Sequence, residues 1–274
     1  MSLRINTNLP AQEAWRQSNR NDDQKDQSLK RLASGKRINS AADDAAGLAI
    51  SEKMQGQIGG LDQANNDTAD GLNMLKTAEG SMSQTSSVLQ QMNQLAVQAG
   101  NDTLTASDRG AIQTELNQLS AQVDTNATQT QFNGKKTNDG TLQNANIQIG
   151  ANAGQGVSVS ISSQAASTLN VNTASIQVGT QAQAQTTLTN VQNAINTVST
   201  NRAQIGAQEN NFGFIQQNQA TQSENVSAAN SRISDLDMAN ESIKLATSGI
   251  LGNSSLAMLA QANSSPQSVA RLLA

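Results

Sequence analysis

"DAAGLAISEKMQGQIGGLDQANNDTADGLNMLKTAEGSMSQTSSVLQQMNQLAVQA", residues 44–99, contains no proline and returns apolar residues at three- and four-residue steps. Met54, Ile58, Leu61, Leu72, Leu75, Met82 and Leu89 carry the rhythm, and Ala96 closes it. Polar residues (Asn65, Thr68, Glu79, Ser86 and Asn93) interleave on the same seam. Spacing of this kind predicts one helix of about 56 residues, roughly 84 Å long at 1.5 Å per residue. A helix of that length belongs to a coiled coil or a bundle.

Working outward, "AGNDTLTASDRGAI" breaks the pattern. Gly100 and Asn101 end the helix, and Thr105 or Ser107 can cap a second one. That helix carries Ile112, Leu116, Leu119 and Val123 and runs to Thr130. The character changes over residues 132–165: Asn133-Gly134 and Asp139-Gly140 are turn dipeptides. There "IQI" and "VSVSI" alternate with period two around a glycine-rich loop, which predicts a hairpin. Helical rhythm returns with Leu188, Val191, Ile195, Val198, Ile205, Phe212 and Ile215, and continues through Val226, Ile233, Leu236, Ile243 and Ile250. The expected fold is mainly α: long antiparallel helices in coiled-coil or bundle packing, with a small central β-hairpin region. A chain that goes out and returns in this way can pair its two ends.

Composition agrees. The 274 residues include one Trp, three Phe and no Tyr. Large aromatics bury about 150–250 Å² each and dominate thick cores, so this chain suits helix-on-helix seams. Prolines stand only at Pro10 and Pro266. The net charge of -4 is spread without blocks, which argues against nucleic acid as a partner. No apolar run approaches the roughly 20 residues that span a bilayer, so no membrane partner is expected. The opening "MSLRINTNLPAQEAW" shows no apolar stretch of secretory-signal type.

Histidine and cysteine are both absent, which removes Ser-His-Asp triads, thiol nucleophiles and the usual zinc sites. "GQIGG", residues 56–60, matches no phosphate-binding spacing. No catalytic residue, metal or cofactor is expected, and the chain does not read as an enzyme.

"RINSAADDAAGLAIS", residues 37–51, places Asp43 and Asp44 side by side. Neighbours on a helix point about 100° apart, which is poor geometry for a carboxylate dyad. Ser40 and Asp43 instead have the spacing of a helix-capping box, with the carboxylate at the positive end of the helix dipole. Ala45, Ala46, Gly47 and Ala49 allow a neighbouring backbone to come close.

Several blocks resemble bacterial flagellin: "RINSAADDAAGLAISEKMQGQIGGLDQA", "LKTAEGSM", "LQQMNQLAVQAGNDTLTASDRGAIQTELNQL", "TQFNGKK", the opening "LRINTN" and the ending "LAMLAQANSSPQSVARLLA". The resemblance covers residues 1–140 and 180–274 in the family's order. It implies an N-terminal arm of an inner core with its connecting spoke over residues 1–43, and a middle helical domain over residues 44–235. A C-terminal arm would occupy residues 236–274. About 45 residues separate the helical halves, enough for one hairpin and too few for outer domains of ordinary size. The first arm departs from the family in its polar run "NRNDDQKDQ", residues 19–27.

The implied function is that of a subunit that self-assembles into the flagellar filament used for swimming. Two rival readings are a hook–filament junction protein and a membrane-active amphipathic helical protein. Against the latter, the polar faces are rich in Gln, Asn and Ser rather than in Lys and Arg. The implied partners are further copies of the chain, a flagellar secretion chaperone, the type III export apparatus and the filament cap, with an extracellular location. The terminal core would be formed by Ile5, Leu9, Leu29 and Leu32 with Ile250, Leu256, Met258, Leu259, Val269, Leu272 and Leu273. The C-terminal set has no long partner except the N-terminal arm. The resemblance also implies a host Toll-like receptor as partner, through Leu95 and Glu115. Gln91 stands where the family's key arginine is found, and Asn93 at a second basic position.

Overall fold

A computed structural model of the chain describes the backbone of residues 7–273 and the side chains of residues 7–264. The elements in chain order are α1 (Leu9–Ser34), α2 (Ala45–Ala99), α3 (Ala106–Gln129), β1 (Gln131–Phe132), β2 (Lys135–Lys136), β3 (Ala145–Gln148), β4 (Gly156–Val159), α4 (Gln181–Ser234) and α5 (Met238–Leu273). The fold is mainly α, with two small antiparallel hairpins in the expected central region. β1 pairs with β2 through a turn whose Asn133 and Gly134 both have positive φ, the conformation that this dipeptide favours. β3 pairs with β4 from Ala145↔Val159 to Gln148↔Gly156. The chain divides into two compact units: Met1–Gly56 with Asn225–Ala274, and Gln57–Glu224.

The caps explain where the helices start. Thr105 and Asp108 form a reciprocal capping box on α3. Thr180 and Gln183 do the same on α4. For α2 the structure corrects the expected cap. Ser40 and Asp43 are hydrogen-bonded, but they close a turn ahead of the helix. The Asp43 carboxylate accepts from the Asn39 and Ser40 amides, which holds its pKa below the usual aspartate value. Asp44 is the capping residue, its Oδ1 accepting the Gly47 amide at 2.8 Å. The adjacent aspartates thus divide the work, one fixing the approach and the other the first turn.

In the unit Gln57–Glu224, α2 buries two rows at heptad spacing. One is the predicted row: Leu61, Thr68, Leu75, Met82, Leu89 and Ala96. The second is Ala64, Gly71, Ala78, Thr85, Met92 and Ala99, offset by three residues. The expected companions Asn65, Leu72, Glu79, Ser86 and Asn93 sit one position further round, exposed or half-buried. Small residues let the partner helix approach closely, which is why this row carries little hydrophobic signal. From α4 come Ala184, Thr187, Val191, Ala194, Val198, Ile205 and Phe212, again at heptad steps. Arg202 to Glu79, Gln219 to Thr68 and Ser223 to Asp62 fix the antiparallel register of α4 on α2.

The glycines of α2 are packing devices. A Cβ on Gly60 would come within 2.7 Å of the Ala151 Cβ, and one on Gly71 within 2.5 Å of the Ile147 Cδ1. Both face the β3–β4 hairpin, so their absent side chains let it lie against the helix.

Candidate functional site

The unit Met1–Gly56 with Asn225–Ala274 contains α1 and α5 packed against each other. Asn8 anchors the start of α1 by accepting the Ala11 amide, and Gly35, at φ 67°, ends it in a left-handed turn. Asp237 caps α5 through the Asn240 amide. The two connectors pair: the Arg37 amide donates to the Ser234 carbonyl, and the Leu236 amide donates to the Gly35 carbonyl.

α1 and α5 run antiparallel, and polar groups line their seam. Asn8 donates to the Ala262 carbonyl, Asn21 to Ser255 Oγ, and Ser28 Oγ to Glu241 Oε1 at 2.9 Å. Ser18, Asn21, Ser28, Glu241, Ser248 and Ser255 are all buried. These residues recur at three- and seven-residue intervals, the geometry of a coiled-coil seam. Small polar side chains fill positions where leucine would be usual.

Most of the large apolar side chains point outward, while Leu32, Leu245 and Leu259 are half-buried. Leu9, Trp15, Leu29, Met238, Ile243, Ile250, Leu251, Leu256 and Met258 are exposed, Ile250 at 67% and Met258 at 66%. Among the candidate terminal-core residues, Leu32 and Leu259 are half-buried, while Leu9, Leu29, Ile250, Leu256 and Met258 lie on open faces. Ile5 and the side chains of Val269, Leu272 and Leu273 fall outside the described residues. Large apolar side chains left exposed in such number mark candidate interaction surfaces. Each such side chain, once fully buried, contributes about 1.5–3 kcal/mol.

Glu241 is the group that residue-by-residue reading missed. Its side chain is only 3% exposed. Burial alone would raise its pKa. Hydrogen bonds from Lys244 and Ser28, with the charges of Lys244 and Arg31, outweigh that and hold it below the ordinary glutamate value. A depressed folded-state pKa contributes stability that is complete above the unfolded value and is lost as pH falls through the folded one. Acidification below the ordinary value of 4.5 should therefore loosen the α1–α5 pair in the wild-type chain. Glu241→Gln, measured by hydrogen exchange of α1 and α5 against pH, should flatten that dependence.

The receptor candidates lie in the other unit. Gln91 and Glu115 are exposed, and Leu95 is half-buried against the core. Ser81 bonds to the Asn126 carbonyl and Arg109 to the Ala99 carbonyl. This antiparallel register brings Gln91, Leu95 and Glu115 to within about one helical turn along the α2–α3 pair.

Two arms with a polar seam and outward apolar faces define a class of protein: a structural subunit whose surface is completed by other molecules. Comparison with known proteins agrees. Residues 5–143 match the bacterial flagellin N-terminal helical region, and residues 188–273 match its C-terminal helical region. A flagellin of Halalkalibacterium halodurans is 40% identical over 98% of this chain and 99% of its own length. A flagellin of Bacillus subtilis is 38% identical over 99% of this chain and 100% of its own length. A flagellar filament 30.7 kDa core protein of Treponema maltophilum is 36% identical, covering 98% of this chain and 99% of its own.

The chain belongs to the bacterial flagellin family. It is a structural subunit of the flagellar filament.

Proposed function

We propose that assembly proceeds by completion of the arms: residues 1–43 and 236–274 form an inner core with the arms of neighbouring subunits, and residues 44–235 form a middle helical domain. The observation that carries this reading is the outward apolar face of α1 and α5, set against a seam already satisfied by hydrogen bonds. Subunits would gain burial at every contact, so the ordered state of the arms is coupled to the polymer. Adding ammonium sulfate to purified monomer should give filaments of uniform width by negative-stain microscopy. Amorphous aggregate alone would sink the reading.

The family also supports export through the flagellar type III apparatus with a secretion chaperone, growth under a filament cap, and an extracellular filament. The chain's few aromatics fit passage in an unfolded state.

Recognition by a host Toll-like receptor would use the level of α2 and α3 that carries Gln91, Leu95 and Glu115. A neutral amide at residue 91 cannot make the charge-assisted, bidentate bonds of a guanidinium, each worth about 1.5–3 kcal/mol. Gln91→Arg should raise potency in receptor-reporter cells by about tenfold or more. An unchanged dose–response would remove residue 91 from the contact.

A further inference from the structure

We propose that Met258 is an oxidation site that controls assembly: a peroxide converts its thioether to the sulfoxide in the free subunit, and that subunit stays out of the polymer until the sulfoxide is reduced. The inference rests on the reading of α5 as part of the assembly surface and names a chemistry that regulates it.

The sulfur chemistry of this chain is simple. It has seven methionines and no cysteine, so no thiol competes for a two-electron oxidant. Burial then divides the methionines. Met74, Met82 and Met92 lie buried in the core of Gln57–Glu224, and Met54 is half-buried. Among the described residues the exposed methionines both stand on α5, Met238 at 50% and Met258 at 66%. An oxidant must reach the sulfur lone pair, so peroxide in solution meets α5 first.

The two sites differ in their surroundings. Met238 opens the helix beside Asp237 and Asn240, where an added oxygen finds a polar setting. Met258 stands with Leu256 and Leu259, about two turns beyond Ile250 and Leu251. It also borders an open groove of about 600 Å³ between α1 and α5, lined by Pro10, Arg16, Gln17, Arg20 and Ser255 among others. Such a groove admits a small peroxide. Its guanidinium and amide N–H groups supply donors for a sulfoxide oxygen.

The step balances without any group from the protein. A sulfur lone pair attacks one peroxide oxygen, and an S–O bond forms as the O–O bond breaks. A proton moves to the departing oxygen to give water. Sulfur loses two electrons and the peroxide gains them. In the reverse direction a dithiol supplies two electrons, closes to a disulfide, and the oxygen leaves as water.

The product is a polar, chiral side chain in place of a flexible apolar one. In the single chain it remains in water, so the fold loses little. On a face buried between subunits the new oxygen would lose its hydration. That cost recurs at every subunit.

The test treats purified monomer with hydrogen peroxide and maps the product by mass spectrometry. Trypsin separates Met238, on residues 233–244, from Met258, on residues 245–271. Met258 should be oxidised well ahead of Met82 and Met92. The treated monomer should keep its melting curve, while its critical concentration for assembly should rise by roughly tenfold or more, the equivalent of one buried side chain of this size. Methionine sulfoxide reductases acting on both epimers should restore assembly. Met258→Leu keeps the apolar volume without the sulfur. It should assemble at the wild-type concentration before and after peroxide. In preformed filaments Met258 should oxidise more slowly than in the monomer.

Assembly of the Met258-oxidised chain at the untreated critical concentration would overturn this site alone. So would equal oxidation of Met258 and Met82, equal oxidation of Met258 in monomer and filament, or the same loss of assembly in treated Met258→Leu. Failure of the untreated, unaltered chain to form filaments would overturn the assembly reading together with it.

Discussion

Deleting residues 249–274 should abolish filament formation and leave a folded monomer. The segment carries Ile250, Leu251, Leu256, Met258 and Leu259, followed in sequence by Val269, Leu272 and Leu273. Within a single chain the exposed members of this set bury little, so removing them takes little from the monomer. What the monomer loses is the half-buried Leu259, the bond from Asn21 to Ser255 and that from Asn8 to the Ala262 carbonyl. In a polymer every subunit loses several side chains worth about 1.5–3 kcal/mol each when buried. The core of Gln57–Glu224 shares no residue with the deleted segment. Circular dichroism should show that helix retained, and sedimentation should show no polymer under assembling conditions. Filaments from the truncated chain would remove the tail from the polymerisation surface.

The second large effect lies in the other unit. Phe212 is fully buried and packs where Gly71 leaves room beneath the β3–β4 hairpin. Phe212→Ala should destabilise this unit by about 3–5 kcal/mol, because the lost transfer energy is joined by a cavity that helix backbones cannot collapse to fill. Urea unfolding followed by far-ultraviolet circular dichroism reads this directly. A loss below about 1 kcal/mol would mean that the helices close over the gap and that the site is less rigidly packed than its heptad register implies.

The helices were legible because their periodicity is long and uninterrupted. Residues 44–99 announce α2 to within one position, and the capping chemistry of Thr105 announces α3. The second buried row of α2 was not legible. Ala64, Gly71, Ala78 and Thr85 are chosen for close approach, and a hydrophobicity pattern weighs such residues lightly. The cap moved from Ser40 and Asp43 to Asp44 because the preceding turn uses Asp43 for its own amides. Either aspartate satisfies the same local chemistry in a sequence.

The arms hold the instructive difference. Counting apolar residues suggests that the tail packs on the N-terminal arm through its leucines and isoleucines. The structure turns serines, Asn21 and Glu241 into that seam instead. Both choices keep heptad spacing, and spacing alone cannot say which stripe of a helix faces its intramolecular partner. The polar run at residues 19–27 gives no guide to the seam, because only its Asn21 is buried there and its other residues are exposed.

The central claim is that the arms keep their apolar faces for other subunits. Its most direct test is Ile250→Gln combined with Leu256→Gln and Met258→Gln, three side chains exposed in the single chain. Monomer helicity and melting temperature should be indistinguishable from wild type, with no filaments at concentrations where wild type polymerises. Loss of monomer stability, or filaments at the wild-type critical concentration, would contradict it.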